Sequence, residues 1–210
     1  MQLTVLGLNH KSAPVEVRER FNLSEERIKE ILAELRDAED ISEAIILSTC
    51  NRTEFYIVID NPEKTIPYFK NLLEKISGKA YNPEYFYHLN GTYCVRHLFR
   101  VASSLDSLII GEGQILSQIK AAYQLARSNE STGFLLNQIM NKAIAVGKKV
   151  RTETRIAYAS VSVSSAAVDL AINILGDLSQ AKILVVGAGH MSELTTRHLL
   201  DKGAKSIIVS

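Results

Sequence analysis

The sequence predicts an α+β protein: a split βαβ, ferredoxin-like sheet with appended helices, followed by the truncated start of an α/β Rossmann domain. Three observations lead there. Apolar periodicity alternates between strand and helix in the order β-α-β-β-α-β over residues 2–89. Helical spacing then dominates residues 92–155. Finally, an apolar strand-like run opens into Gly187-Ala188-Gly189 and another helical pattern, as a dinucleotide-binding unit begins.

Gln2 to Leu8 reads as a strand, ended by Gly7 and the polar pair Asn9-His10. Ser24 is a helix N-cap, with Glu25 and Glu26 suited to the positive end of the helix. Ile28, Ile31, Leu32 and Leu35 then recur at helical spacing. Strands follow at 42–48 and 53–60. Asn61-Pro62 starts a second helix with Ile66, Phe69, Leu73 and Ile76 inward, and Gly78 stops it. Tyr85 to Leu89 is the fourth strand. Helices are expected at 92–103, 113–129 and 134–153, with breaks near Asp106, Gly111 and Gly133. Ser160 to Leu175 is rich in Ser, Ala and Val, which lets a helix pack closely. Ala181 to Val186 reads as a buried parallel-type strand, 190–202 as a helix, and Lys205 to Val209 as the next strand. The first domain is thus placed at 1–155, and a linker helix with an incomplete β-α-β at 156–210. A dinucleotide fold needs several βα units, so the chain reads as a piece of a longer protein.

With 46% hydrophobic and 22% charged residues, the 210-residue chain can bury an ordinary globular core. A net charge of +1 supplies no global field for nucleic acid, so such contact needs a local patch. Cys50 and Cys94 are the only cysteines, which excludes a disulfide framework and suits a reducing, cytoplasmic setting. Met1 to Val5 has no basic n-region and no apolar stretch reaches spanning length, so neither a signal peptide nor a membrane span is expected.

Thr49-Cys50-Asn51-Arg52 lies between the second and third strands. A thiol, an amide and a guanidinium are concentrated in one tight turn, where a rigid scaffold can present a reactive group. Most lone cysteines are small buried hydrophobes. The arginine two residues on and the hydroxyls on both sides favour the functional reading. Gly187-Ala188-Gly189-His190-Met191-Ser192 follows a strand and opens a helix, so its backbone can approach a pyrophosphate at the helix N-terminus. The third glycine position is Ser192, and the residue that reads the ribose edge falls beyond Ser210, which leaves NAD against NADP open.

The chain resembles the glutamyl-tRNA reductase family. The resemblance is carried by Gly7-Leu8-Asn9-His10-Lys11-Ser12-Ala13-Pro14-Val15 and by Leu47-Ser48-Thr49-Cys50-Asn51-Arg52-Thr53-Glu54. It continues through His97-Leu98-Phe99-Arg100-Val101-Ala102-Ser103, Leu105-Asp106-Ser107, Gly111-Glu112-Gly113-Gln114-Ile115 and Lys149-Val150-Arg151-Thr152-Glu153-Thr154. The family usually has Pro where this chain has Gly113. Its subunits carry a long spine helix and a C-terminal dimerisation domain, and the resemblance implies that the latter is not among these 210 residues.

The resemblance implies NADPH-dependent reduction of glutamyl-tRNA to glutamate-1-semialdehyde, the first step of five-carbon tetrapyrrole synthesis. Cys50 is similar to the family's nucleophile, which takes the glutamyl group from tRNA as a thioester. Covalent catalysis of this kind divides one hard step into two easier ones. The resemblance places Thr49, Asn51, Arg52, Ser107, Glu112, Gly113, Gln114 and Gln118 at the substrate and His97 beside the chemistry. It assigns Gly187, Ala188, Gly189, His190, Met191 and Ser192 to NADPH. In a glutamyl ester the only free carboxylate is on the side chain, and a planar guanidinium such as Arg52 matches it bidentately. Glu112 is the candidate acceptor for the α-ammonium. Expected partners are glutamyl-tRNA, a second subunit of the full-length protein, and the downstream semialdehyde aminomutase. The fragment itself is expected to stop short of hydride transfer.

Several readings compete. Lys142, Lys148, Lys149, Arg151 and Arg155 form either a solvated helix face or a contact for tRNA phosphates. Cys94 and His97 share a helical face, yet with His88 and Cys50 they fit no compact zinc spacing. A regulatory or interaction module and an unrelated Rossmann dehydrogenase with a cysteine nucleophile remain the alternatives to the enzyme. A thioester on Cys50 discriminates both from it.

Overall fold

The computed structural model describes residues 1–154, 156 and 163–210 and has two compact units, Met1–Ala157 and Tyr158–Ser210. In the first, β1 (Gln2–Asn9), β2 (Ile41–Thr49), β3 (Arg52–Ile59) and β4 (Tyr87–Asn90) form one sheet in the order β2-β3-β1-β4, with every neighbour antiparallel. Helices α1 (Val15–Arg18) and α2 (Glu25–Arg36) connect β1 to β2, and α3 (Pro62–Ser77) connects β3 to β4. The predicted β-α-β-β-α-β order is therefore present. The predicted caps act as expected: Ser24 accepts from Arg27 N, Asn61 accepts from Glu63 N, and Gly78 ends α3 at φ +65°.

Strand alternation divides the sheet into two buried faces, one apolar and one that also carries polar and charged side chains. Thr4 lies opposite Ile57 and Leu6 opposite Phe55 on one face. There Phe69 of α3 meets Phe55 edge-on at 5.7 Å. The other face carries Gly7, Asn9, Arg52, Glu54 and Tyr56, beneath α4 (Gly91–Ala102), α5 (Gln114–Ser128) and α6 (Phe134–Glu153). All eight residues of β3 are buried, so the strand after the cysteine turn is fixed from both sides. Each fully buried Ile or Phe contributes roughly 1.5–3 kcal/mol.

Glu43, buried on β2, holds the start of α6: its carboxylate accepts from Leu135 N at 2.9 Å and Leu136 N at 2.7 Å. Ser131 covers the β2 edge, accepting from Ala44 N at 2.7 Å through its carbonyl. A Cβ on Gly147 would stand 2.5 Å from Ala102 O, so α4 and α6 can approach this closely only at a glycine.

Several expectations change. Gly7 does not end β1 but lies inside it, opposite Glu54, where a Cβ would come within 2.8 Å of Glu54 Cγ and Thr53 O. The fourth strand starts at Tyr87, because Asn82 accepts from Glu84 N and turns Pro83–Tyr85 into a 3₁₀ segment. Ile66 is exposed, at the rim of a 390 Å³ apolar cavity between α3 and the sheet. Helix α1 is four residues long, too short to carry a periodic signal.

In the second unit β5 (Lys182–Val185) pairs in parallel with β6 (Ser206–Val209), and α7 (Val163–Leu175) packs on α8 (His190–Asp201). Val168, Leu178, Leu199 and Ala204 form its core. The β5 strand is not buried as expected. Ile183 and Val185 pack on that core, while Leu184 is 61% and Val186 78% exposed, because the helices cover one sheet face only. Ser160 and Arg155 lie outside the described residues. Among the described residues no helix is long and apolar enough to cross a membrane.

Candidate active site

Cys50 and Asn51 form a two-residue turn between paired Thr49 and Arg52. Thr49 Oγ1 accepts from Asn51 N and Arg52 N, both at 3.2 Å, so the hydroxyl fixes the bend locally. Two further clamps come from the chain after β1. His10 N donates to Asn51 O at 3.0 Å, and Arg18 Nη1 donates to Cys50 O at 2.7 Å and to Asn51 Oδ1 at 3.1 Å. Cys50 itself is exposed. The other cysteine, Cys94, is buried; burial and then the charge of Glu54 push its thiol up to about 12, which makes it a core residue.

Below the turn lies a buried charge network. Arg52 and Glu54 are two residues apart on one strand and share a face. Arg52 Nη1 donates to Glu54 Oε1 at 2.6 Å. Glu54 also accepts from Tyr56 and Tyr87, each at 2.5 Å, and from His97 Nε2 at 2.9 Å. Burial alone would raise the Glu54 pKa, but Arg52 and His97 hold it well below the usual carboxylate range. Arg52 Nη2 reaches Asp106 through the carbonyl and through Oδ2 at 3.4 Å. Lys11 and Asn9 close the network on Asp106. Burial opposes ionisation of Asp106, yet Lys11 and Arg52 keep its pKa low.

The network brings β3, α4 and the 103–113 loop to one end of the sheet. Ser107, half-buried, follows Asp106 directly. Ser104, at φ +59°, closes the same loop by donating from Oγ to Glu112 O at 2.6 Å. Gly113 caps α5, and its carbonyl accepts from Arg151 Nη1 at 2.9 Å. Its missing Cβ leaves room for Arg151 Nη2, 2.8 Å from where that atom would stand. Gln114 and Gln118 lie on α5, exposed and half-buried. Arg52, expected to face a substrate carboxylate, is 2% exposed and already paired with Glu54, its neighbour two residues along the strand. Sequence reasoning passed over Glu54, Asp106, Lys11 and Arg18. The same-face spacing of Arg52 and Glu54 was the available signal; Arg18 had none, because its helix is too short to read.

The glycine turn has a different construction. Gly187 has φ +106° and its N–H donates to Ser210 O at 2.6 Å. Gly189 precedes α8 in extended conformation, and a Cβ there would meet nothing within 4 Å. Open space before a helix N-terminus, bordered by Met191 and Ser192, suits an anionic group. His190 begins the helix, with its side chain outside the description. Lys142, Lys148 and Lys149 are exposed on α6, whereas Arg151 is drawn off to Gly113.

A first unit with an exposed thiol on a clamped turn, followed along the chain by an α/β unit with a glycine-rich strand-to-helix connection, defines a cysteine-bearing α+β protein continued by the start of a dehydrogenase-like unit. Residues 6–154 match the family "Glutamyl-tRNAGlu reductase, N-terminal domain", and residues 169–210 match "Shikimate / quinate 5-dehydrogenase". The chain belongs to the glutamyl-tRNA reductase family. It is 47% identical to a glutamyl-tRNA reductase of Chlorobium phaeobacteroides (strain BS1), over 100% of this chain and 50% of that one. It is also 47% identical to one of Thermodesulfovibrio yellowstonii, over 100% of this chain and 51% of the relative. The solved glutamyl-tRNA reductase of Methanopyrus kandleri is similar with TM-score 0.66 and 35% identity, over 99% of this chain and 48% of that one. The chain spans about half the length of the curated relatives it matches.

Proposed function

We propose that this chain is the acyl-accepting part of an enzyme that reduces glutamyl-tRNA to glutamate-1-semialdehyde. The observation that carries the reading is Cys50, exposed at the tip of a turn that two side chains, Thr49 and Arg18, and a backbone hydrogen bond from His10 clamp. Its sulfur attacks the ester carbonyl, the ribose 3′ oxygen departs, and a thioester remains. Loss of motion in the nucleophile favours such a step, because reacting groups must stay in near-attack geometry.

The first unit supplies binding and orientation as a ferredoxin-like sheet with a helical layer. The side-chain carboxylate of the glutamyl group is assigned to Arg52 Nη2, where Asp106 is its present partner and competitor. Glu112 receives the α-ammonium, while Thr49, Asn51, Ser107, Gly113, Gln114 and Gln118 line the approach. His97, fixed on Glu54, orients the substrate from α4. The second unit is read as the opening β-α-β of a Rossmann domain. Gly187, Ala188, Gly189, His190, Met191 and Ser192 would hold the pyrophosphate of a nicotinamide cofactor, NADPH by the family reading. When bound, the cofactor supplies the hydride that turns the thioester into aldehyde. A cytoplasmic location agrees with two free thiols. Homodimerisation and transfer to an aminomutase belong to the same reading.

A mass spectrum after incubation with glutamyl-tRNA tests it. A glutamyl adduct on Cys50, absent in Cys50→Ser, is expected. An unmodified protein overturns the reading and leaves the interaction-module alternative.

A further inference from the structure

We propose that His10 is the proton carrier of the cysteine turn. It takes the thiol proton as Cys50 attacks the ester and returns it to the departing 3′ oxygen. This role rests on the thioester reading above and adds a residue to it.

The geometry points to His10 rather than His97. His10 directly follows β1, and its backbone N–H bonds Asn51 O at 3.0 Å, one residue from the thiol. Its Nδ1 is buried and has no hydrogen-bond partner among the described residues. Arg18 Nε, from the other residue that clamps this turn, is buried and unpartnered too. Leaving a buried ring nitrogen unpaired costs about 1–3 kcal/mol, so an orphan nitrogen on the residue whose backbone clasps the cysteine turn calls for a function. By contrast, His97 Nε2 is engaged with Glu54 at 2.9 Å.

The charges fit the same role. Arg52 from β3, Arg18 from α1, Lys11 from the adjoining turn and Asp106 from the loop after α4 all act on His10. Burial, then Arg52 and Lys11, lower its pKa from the ordinary 6.5, against the pull of Asp106. Near neutral pH the ring is therefore uncharged and can accept a proton. Once protonated it gives the proton up readily, as a general acid must. The step balances without an oxidant or reductant. The S–H bond breaks as the S–C bond forms, and the proton passes to the imidazole. The acyl C–O bond then breaks, its electron pair stays on the 3′ oxygen, and that oxygen takes the proton back from the imidazolium.

The test is rapid-quench acylation of Cys50 by glutamyl-tRNA, measured against pH. Wild type is compared with His10→Asn, His10→Gln and His97→Asn, and circular dichroism checks the fold of each. Wild type should lose rate on acidification with an inflection below 6.5. Both His10 variants should be slower by about 10²–10⁴-fold and lose that inflection, a change that a merely structural role would not produce. His97→Asn should keep it. If wild type is acylated and a folded His10 variant retains its rate and pH profile, the His10 role alone is overturned. If wild type forms no thioester, the underlying reading fails and the role fails with it.

Discussion

The Cys50 turn and the Gly187–Gly189 turn each end an apolar strand, yet they are held in place differently. The first is fastened by the Thr49 hydroxyl, the Arg18 guanidinium and the His10 amide, and leads into a strand buried along its whole length. The second is tied through its backbone, Gly187 N to Ser210 O at 2.6 Å, and follows a strand with alternate residues exposed. On the proposed function, the difference follows what each turn would present. A reactive side chain needs its direction fixed by neighbours, whereas a cradle for an anion needs bare amides and space, which glycines provide.

The comparison can be broken at its strongest point first. Glu54→Ala removes the closer of the two carboxylates that pair buried Arg52 and should cost the first unit about 3–5 kcal/mol, read by denaturant unfolding. A loss near zero would mean that the network does not support the turn. Next comes selectivity: Arg52→Gln should reduce the preference for glutamyl over glutaminyl ester about 10- to 100-fold, the value of one hydrogen bond to a charged group. Equal slowing with both esters would remove Arg52 from carboxylate recognition.

Acid should separate the two units. The folded pKa of Glu54 lies far below its ordinary 4.5, and that of Asp106 below its ordinary 3.8. On acidification the unfolded chain therefore binds protons before the folded one does. The contribution is complete above the ordinary values and declines as pH falls through them toward the folded values. Thermal unfolding of the first unit should thus drop below about pH 5, more steeply in wild type than in Glu54→Gln. Parallel curves would show that Glu54 is not the responsible carboxylate.

The smaller effects concern the turns themselves. Gly187→Ala forces a side chain into φ +106° and should destabilise the second unit by about 1–3 kcal/mol. Unchanged unfolding would show that the glycine is dispensable there. Thr49→Val keeps the shape but removes the acceptor for two amides, with an expected cost of about 0.5–1.5 kcal/mol and slower acylation of Cys50. Full acylation at unchanged stability would show that the hydroxyl does not clamp the turn.

Much of the frame was legible in the chain. Ser24, Asn61-Pro62 and Gly78 mark helix ends by local chemistry, and Ile45 to Leu47 and Phe55 to Ile59 are apolar enough to force a sheet. The exposed cysteine was legible for the same reason, since a two-residue turn between such strands has nowhere to hide it. The partners of Arg52 were less so. Asp106 lies 54 residues away, and only the packing of α4 on the sheet brings it near. Gly7 was misread because a glycine in a strand looks like an end; here it makes room for the Glu54 side chain on the neighbouring strand. Arg18 belongs to a four-residue helix that leaves no periodic trace.

The bond from Glu43 to the first amides of α6 also guards the alignment of the hairpin. If β2 slid by a single position, that carboxylate would swing to the opposite side of the sheet and strip the helix of its anchor. A mispaired hairpin would therefore announce itself some distance from the fault, as a frayed helix. The position of the sulfur at the hairpin tip is thereby tied to a helix anchored near the opposite end of β2.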